Sequence, residues 1–513
     1  MSKSVKSIIA AVLVLAALGG GFAALKLTDP ERNNGDSSIT ETTTDMDRTK
    51  YLTLIQDEKA EKDPETGVAS GGVIHRITVT NEHGSMTVVE TKETEKEDNP
   101  EYTFEGYEDV SWQVSVVGTL ANNANLLTST DIIEENASDL GKYGLDKPAI
   151  TLDAEYRSGS ETKLLIGDDS PSGKETYVAV EGSNTVYTVL STYLANFRKG
   201  MIEFANNTIL ATPDQDNYPN VLSLRIERED LDYDIYIEHD KRKDDPDFTS
   251  GTSASSILVE PVEAYLNMEK SVEITNGMFG LMGESVYSID AKESDIAETG
   301  LKDPFCRVTM KTDDNKTNVL LLSEPFNDED NGKCCYGMLE GGKAIYTIKA
   351  EKAKWLTVMP IDITARMFIG EYVWNITSLT AEGGGKKYDF KITAKDPEKK
   401  EGLSSDDFTT TMNGAEFDTE RYRQFYAFVI GANAEEFAFE EKVPEGEPMA
   451  KIVYTENYYN KPTTVEFYDY SNLKSLVVIN GESRFIISKG FVETLIDNIG
   501  RIEGEEDYVK TWR

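Results

Sequence analysis

The most apolar stretch of the chain lies near its N-terminus, where residues 7–25 carry no charged side chain. Its length is close to the roughly 20 apolar residues that cross a bilayer as a helix. Lys3 and Lys6 precede it, and positive charge stays on the cytoplasmic side of such a segment. The pattern predicts a cytoplasmic tip and transmembrane anchor over residues 1–26 of a single-pass cell-membrane protein, with the rest outside the cytoplasm. The alternative is a cleaved signal peptide, since residues 21–23 have the small-x-small form that a signal peptidase accepts.

Residues 27–71 differ in composition and are rich in Ser, Thr, Asp, Glu and turn-forming residues. Such composition predicts a flexible stalk. One apolar island at residues 51–55 interrupts it and can form a short first strand. The folded modules are therefore expected from residue 72 onward.

Beyond the stalk, short apolar runs broken at glycine predict β-hairpins, and they recur with a long period. Residues 139–148 and 295–304 both read Gly-Leu, two further residues, then Pro. Gly144 and Gly300 are each expected to end a helix in the left-handed conformation, and the proline prevents its continuation. The strands that follow the two motifs match as well, so the chain contains an internal repeat.

A third, diverged copy begins near residue 372, where the four-strand pattern returns without the Gly-Leu pair. Asn480-Gly481 marks a hairpin turn in it, and Gly384 has no equivalent cap role. Asp418 is expected to cap a helix before these strands, and apolar residues spaced i, i+3, i+4, i+7 from Val492 predict a closing helix.

The pattern as a whole predicts an α+β fold of tandem β-rich modules behind the N-terminal transmembrane helix. Each module consists of antiparallel strands with one or two helices. We place the modules at residues 72–205, 206–370 and, in diverged form, 371–513. Three modules suit a chain of 513 residues, which is too long for one ordinary core.

Charge narrows the range of partners. Lys and Arg total 52 against 92 Asp and Glu, giving a net charge of −40. Such a field repels phosphate backbones, so we expect no nucleic acid partner and favour cations or basic surfaces.

Catalytic motifs are not recognisable in the sequence. His75, His83 and His239 are scattered and leave few candidates for the base of a serine or cysteine triad. The P-loop, the Gly-x-Ser-x-Gly elbow and a strand-linked Gly-x-Gly-x-x-Gly are all missing. We therefore expect no catalytic residue, no cofactor and no enzyme activity.

Metal sites are also not expected. Cys306, Cys334 and Cys335 cannot form a disulfide framework, and they lack further Cys or His at zinc-ligand spacing. Among the acidic runs, residues 327–332 are the best candidate for a calcium site, but they fail the EF-hand pattern, so we interpret them as a solvated loop.

The repeat motif resembles a known family, the bacterial domain of unknown function 4340. The residues that carry the resemblance are Tyr143, Gly144, Leu145 and Pro148, repeated as Gly300, Leu301 and Pro304, with Trp112, Gly167, Tyr177, Gly182 and Tyr187 around the first copy. The resemblance implies a membrane-anchored extracytoplasmic protein of the kind often encoded beside gliding-motility-type or auxiliary ABC transporters. It implies protein partners in a transporter complex and is silent about chemistry.

Two functions of different class stay open, and the ligand is unknown. The first is a non-catalytic accessory or scaffold protein associated with an ABC transporter complex. The second is an exported cell-wall or glycan binding protein or hydrolase, for which aromatic residues can supply stacking platforms. A carboxylate pair in an aromatic-lined cleft would favour the second function, and a smooth repeat array with a patch for partners would favour the first.

Overall fold

A computed structural model describes residues 53–55, 57, 59, 72–91, 100–108, 110–245, 248 and 252–512. All of them belong to one compact unit that begins at Thr53. The predicted transmembrane anchor at residues 1–26 and the stalk up to residue 52 lie outside the described residues. No helix within the described part of the chain has both the length and the apolarity to cross a membrane.

The first part of the chain forms a sheet that we call sheet 1. Its strands and those near it are β1 Thr53–Ile55, β2 Ile74–Asn81, β3 Gly84–Glu90, β4 Tyr102–Phe104, β5 Leu127–Thr128, β6 Asp131–Glu134, β7 Ile150–Tyr156, β8 Glu161–Asp169, β9 Glu175–Val180 and β10 Val186–Leu190. Sheet 1 joins eight of them in the order β4-β3-β2-β7-β8-β9-β10-β6. β1 pairs with β5, so the apolar island within the predicted stalk forms a strand.

Sheet 2 follows in the middle of the chain. Its strands are β11 Val221–Arg228, β12 Ile235–His239, β13 Ser256–Glu260, β14 Ala264–Tyr265, β15 Ser285–Ser288, β16 Cys306–Thr312, β17 Thr317–Leu322, β18 Phe326–Asp328, β19 Gly332–Leu339 and β20 Ile345–Lys349. Their order is β14-β13-β12-β11-β16-β17-β19-β20-β15, with β18 beside β19.

Sheet 3 repeats this arrangement. Its strands are β21 Ile376–Gly383, β22 Lys386–Ala394, β23 Phe408–Met412, β24 Ala415–Phe417, β25 Glu436–Phe437, β26 Ala450–Glu456, β27 Pro462–Asp469, β28 Lys474–Ile479 and β29 Glu482–Ser488. Their order is β24-β23-β22-β21-β26-β27-β28-β29-β25. The three sheets therefore share one topology. In each sheet two antiparallel meanders lie side by side, with their first strands paired. The strand that precedes the second meander in sequence pairs with the last strand of that meander.

Short helices connect and cover the strands. The α-helices are α1 Val114–Asn125, α2 Ser191–Leu194, α3 Met268–Thr275, α4 Glu293–Glu298, α5 Pro360–Ile363, α6 Thr419–Val429 and α7 Lys489–Gly500. The 3-10 turns are Leu140–Tyr143, Ala195–Arg198, Met201–Phe204, Gln215–Asn217, Lys241–Asp244, Lys354–Leu356, Val373–Asn375 and Ser405–Asp407. The described part of the chain consists mostly of antiparallel sheets with a few helices, which confirms the α+β class.

Two sequence-predicted helices of the third copy are confirmed. The Asp418 carboxylate accepts hydrogen bonds from the first-turn N–H groups of Glu420 and Arg421, so it caps α6. Val492 lies on the buried face of α7. The Asn480-Gly481 turn has positive φ at both residues, 52° and 84°, as a tight hairpin requires.

The buried residues form two large cores. One surrounds sheet 1, and the other is shared by sheets 2 and 3. Strands β7 and β26 alternate buried and half-buried side chains along their length, because successive residues of a strand point to opposite faces. Each sheet also has a small second cluster, built from residues that alternate with those of the large core.

Candidate functional site

The repeat motif of the first copy builds one of these small clusters. Gly144 has φ of 68° and caps the 3-10 turn, its N–H reaching the Gly141 carbonyl at 3.1 Å. The Tyr143 hydroxyl donates to the Glu134 carboxylate at 2.7 Å, and Leu145 is 2% exposed. Pro148 is half-buried just before β7. The motif thus closes the second face of sheet 1.

The second copy has the same construction. Gly300 has φ of 73° and follows α4, while the Leu301 N–H donates to the Ile296 carbonyl at 2.9 Å. Leu301 is 1% exposed in the small cluster of sheet 2, and Pro304 precedes β16. Neither motif lines the cavity described next, so the residues that the sequence singles out have structural surroundings.

A cavity of about 640 Å³ opens between sheet 2 and sheet 3, and we call it the junction pocket. The 3-10 turn after β12, the strand β14, the chain before β21 and the hairpins β26-β27 and β28-β29 contribute its walls. Its acidic residues are Glu238, Asp240, Glu263, Glu371 and Glu456, its basic residues are Lys241, Arg242, Lys461 and Arg484, and its aromatic residues are Tyr265, Phe368, Tyr454, Tyr459 and Phe485, beside His239.

Glu371 lies at the centre of a hydrogen-bond network in this pocket. Its carboxylate accepts from the hydroxyls of Tyr265 at 3.1 Å and Tyr454 at 3.0 Å, and from the Gly370 N–H at 3.0 Å. Its carbonyl oxygen accepts from the Tyr426 hydroxyl at 2.9 Å. Burial, and then the negative charge of Glu371, raise the pKa of all three tyrosines. The hydroxyls therefore remain protonated donors to Glu371.

Asp240 and Arg242 form a bidentate ion pair. The Asp240 oxygens accept from Arg242 Nε at 2.7 Å and Nη2 at 2.8 Å, and Asp240 is 6% exposed. Burial alone would lower the pKa of Arg242, but the hydrogen bonds to Asp240 and nearby negative charges more than offset it, so that pKa is raised. Arg242 therefore stays charged and bound to Asp240.

The remaining three carboxylates of the pocket also have protein partners. Glu456 is buried at the end of β26 and accepts the backbone N–H groups of Tyr458 and Tyr459, at 2.5 and 2.7 Å. The other contacts are Arg484 Nη1 to the Glu263 carboxylate at 3.9 Å and the Tyr236 hydroxyl to the Glu238 carboxylate at 3.4 Å. Glu456 is thus held as closely as Glu371 and Asp240, whereas Glu238 and Glu263 have only longer contacts.

The polar groups left over in the pocket are donors. Lys241 and Lys461 are exposed and make no hydrogen bond or ion pair with any residue that the structure describes. Arg484 has a buried Nε that finds no hydrogen-bond partner among the described residues. Tyr459 is 50% exposed, and its hydroxyl makes no hydrogen bond within the described part of the chain.

The histidines are separated, as their sequence positions suggest. His75 lies 3.8 Å from the Glu90 carboxylate, His83 lies 3.8 Å from that of Glu82, and His239 lies 2.7 Å from that of Asp244. His239 lines the junction pocket, whereas the other two belong to the first hairpin of sheet 1. Together they form no cluster with a nucleophile among the residues that the structure describes.

The three cysteines are free and buried. Burial raises the pKa of the Cys306 and Cys335 thiols to about 12, so they stay protonated and unreactive. In the acidic run, Asp328 accepts from the N–H groups of Asp330 at 3.1 Å and Asn331 at 2.8 Å, which is a turn. Among the described residues, no group of three or more His, Cys, Asp and Glu side chains is placed to hold a metal ion.

The pocket residues could not be identified from the sequence, because they come from distant parts of the chain. With 92 acidic residues, no particular carboxylate stands out. One signal was available: Glu456 occupies an inward position of the alternating strand β26, where Tyr156 of β7 and Thr312 of β16 stand in the other sheets. A carboxylate at a buried strand position is unusual and marks a site or a network.

A comparison with protein families matches residues 104–276 to a family described as "Domain of unknown function (DUF4340)". The match covers about a third of the chain, from the end of β4 to the end of α3. No curated protein and no protein of solved structure matches significantly. The matched residues support the resemblance of this chain to the DUF4340 family.

Proposed function

We propose that the protein is a membrane-anchored, extracytoplasmic accessory or scaffold protein without catalytic activity, and that it works with an ABC transporter complex. The proposal that the protein is not catalytic rests on the hydrogen bonding of the carboxylates in the junction pocket. Three of its carboxylates, those of Asp240, Glu371 and Glu456, already accept short hydrogen bonds from the protein, which favours a binding role for the pocket over a catalytic one.

Catalysis by carboxylates needs free positions on their oxygens. A general acid or base must reach the reacting proton, and glycoside hydrolysis needs two such carboxylates across the scissile bond. Glu371 is occupied by two tyrosine hydroxyls and a backbone N–H, and Asp240 by the Arg242 guanidinium. These hydrogen bonds favour a structural role for both carboxylates over proton exchange with a substrate.

The anchor and the transporter rest on different support. Residues 7–25 are uncharged and follow two lysines, which suits a signal anchor that leaves the modules outside. The transporter association comes from the family resemblance alone. The single core shared by sheets 2 and 3 suits a scaffold, because a shared core holds the two sheets as one body.

Purification of the tagged full-length chain from membranes tests this function. We expect mass spectrometry to identify subunits of an ABC transporter at stoichiometric yield, and an unrelated single-pass protein with the same tag to recover none. Repeated recovery of the chain without transporter subunits would contradict the proposal.

The second candidate, an exported glycan-binding protein, is favoured by the half-exposed ring of Tyr459 in a polar pocket. Its hydrolase form predicts new reducing ends when the full-length chain is incubated with cell-wall polysaccharide. We expect none, because Asp240, Glu371 and Glu456 already accept short hydrogen bonds from the protein, and a steady release of sugar would favour the hydrolase instead.

A further inference from the structure

Each of the three sheets takes an apolar side chain into its core from the segment that precedes it in the chain. Ile55 of β1 lies in the core of sheet 1, Ile209 lies in the shared core beside sheet 2, and Phe368 packs against a ring of β27 in sheet 3. Ile55 pairs with Leu127, and the Ile209 N–H donates to the Leu281 carbonyl at 2.8 Å. Leu127 and Leu281 both lie just before the strand that closes their sheet, so the two segments occupy the same groove.

The segment of sheet 1 differs from the other two in how it is held. The segments with Ile209 and Phe368 connect one sheet to the next, so neither can leave its groove without separating two sheets. β1 is instead the first element of the compact unit. It has three residues and pairs only with the two-residue strand β5. So short a pairing adds little stability and opens locally while the longer strands stay folded.

We propose that β1 together with Asp57, which we call the strap, is exchangeable, and that the groove beneath it binds an extended segment of a partner protein. That segment carries an apolar residue in the place of Ile55 and a carboxylate two residues later. Recognition of this kind combines the main-chain hydrogen bonds of an added strand with pockets for its side chains. The strap goes beyond the proposed function, because it depends neither on the transporter nor on the junction pocket.

Asp57 explains why the partner segment needs a carboxylate. Its Oδ1 accepts from the hydroxyls of Ser158 at 2.6 Å and Ser160 at 2.5 Å, in the turn between β7 and β8. Burial alone would raise the pKa of Asp57, but these two hydrogen bonds lower it below its usual value. Ser160 is buried, and departure of the strap removes this acceptor from its hydroxyl. A segment that replaces the strap must therefore bring an acceptor of its own.

Ile55 explains why the partner segment needs an apolar residue. Its side chain has no exposed surface and belongs to the core of sheet 1 together with Leu127 and Ile166. Filling this position with an apolar side chain removes apolar surface from water, whereas a charged side chain there would be buried without a partner. The groove therefore distinguishes segments by the residue at this position.

Gly72 offers a substitution that displaces the strap and leaves the core residues unchanged. A Cβ at Gly72 would lie 2.2 Å from the Asp57 Cβ, and the φ of Gly72 is outside the left-handed range. Gly72→Ala must therefore push Asp57 away by contact alone. The matched control is Gly118→Ala, because a Cβ at Gly118 would meet no described atom within 4 Å.

Fluorescence anisotropy tests the groove with the full-length chain in detergent and a labelled synthetic peptide of residues 50–60. We expect the peptide to bind Gly72→Ala at least about tenfold more tightly than the unchanged chain or Gly118→Ala, because their own strap occupies the groove. The same peptide with Ile55→Asp should bind none of them. Absence of binding to Gly72→Ala, or equal binding of the two peptides, would overturn the proposal.

Amide hydrogen exchange of the unchanged chain tests the opening of the strap without any substitution. We expect the amides of β1 and β5 to exchange at least about tenfold faster than those of β2 and β7, because the strap opens locally. Equal rates would show that the strap leaves only when sheet 1 unfolds, and would overturn the proposal. The strap and the transporter association are tested separately, so failure of one leaves the other standing.

Discussion

At the scale of single residues, Glu371 takes its partners from three parts of the chain that are far apart in sequence. Tyr265 belongs to sheet 2, Tyr454 to sheet 3 and Tyr426 to α6. Local patterns of apolar and polar residues predict elements, but they do not pair side chains across elements. The candidate pocket therefore could not be predicted from the sequence, although the strands that support it could be.

Replacing Glu371 by Gln tests the network directly. Gln keeps the size of the side chain but accepts only weak, uncharged hydrogen bonds from Tyr265 and Tyr454. We expect the free energy of unfolding to fall by about 1–3 kcal/mol, measured by urea denaturation. The matched control is Glu351→Gln, because Glu351 is exposed and has no hydrogen bond within the described residues. Equal stability of the two variants would show that Glu371 does not hold the pocket together.

The buried tyrosines predict how stability depends on alkaline pH. Burial raises the pKa of Tyr102 and of Tyr508 to about 12, whereas an unfolded tyrosine titrates near 10. Because the folded pKa is the higher one, this contribution to stability is complete below about pH 10 and is lost as pH rises through about 12. Urea denaturation at several pH values, followed by tyrosinate absorbance, should show that decline. A free energy of unfolding that stays constant across this window would contradict it.

At the scale of elements, the Gly-Leu motif was predictable because its cause is local. A left-handed glycine, a buried leucine and a following proline all act within a few residues. The third copy departs from this pattern through a compensation between two elements. Ala438 of its small cluster matches Ala137 of the first copy, and Tyr468 stands where Gly167 packs against Leu145, so a large strand side chain replaces the leucine of the turn.

The two cap glycines give a prediction for substitution by valine. A β-branched residue is strained at positive φ, so Gly144→Val and Gly300→Val should each destabilise by roughly 1–3 kcal/mol in denaturation experiments. Gly144 should be the costlier of the two. A Cβ there would lie 2.6 Å from the Asp168 carboxylate, whereas at Gly300 the nearest atom is Ser323 Cβ at 3.8 Å.

Gly384 ends no helix, as expected, but it lies in the hairpin turn between β21 and β22 in the same left-handed conformation. Its φ is 58°, and a Cβ there would lie 3.0 Å from Ile496 Cγ2 of α7. Gly384→Val should therefore be destabilising too. The suitable control is Gly118, which lies within α1 without positive φ, and a Cβ added there would meet no described atom within 4 Å. If Gly118→Val cost as much as Gly144→Val, backbone strain would not be the cause.

At the scale of the whole molecule, the three sheets repeat one topology, but the cores do not follow the three repeats. Sheets 2 and 3 share one core, because buried residues from Ile209 to Tyr508 belong to a single cluster. Phe368, which precedes the third module, packs against Phe467 and Phe491 at ring distances of 5.8 and 6.2 Å. Repetition along the sequence reveals the modules, whereas the faces that join them depend on contacts between copies.

Phe368→Ala tests this shared core. Removing a buried aromatic ring should cost about 3–5 kcal/mol, and calorimetry should show sheets 2 and 3 melting together at a lower temperature. The sheet 1 core has its own cluster and should be affected less. The exposed Tyr372 lies close by in sequence and is 50% exposed, so Tyr372→Ala should have little effect. Separate melting of sheets 2 and 3 would contradict a common core.

The central proposal, an extracytoplasmic accessory protein of a transporter, is tested most directly by cross-linking in intact cells with a reagent that does not cross the membrane. Lysines of the modules, such as Lys400 and Lys461, are exposed to such a reagent if the modules lie outside. We predict cross-linked peptides between these lysines and extracytoplasmic segments of an ABC transporter. Cross-links that form only after the cells are broken open, or only to proteins unrelated to transport, would contradict the proposal.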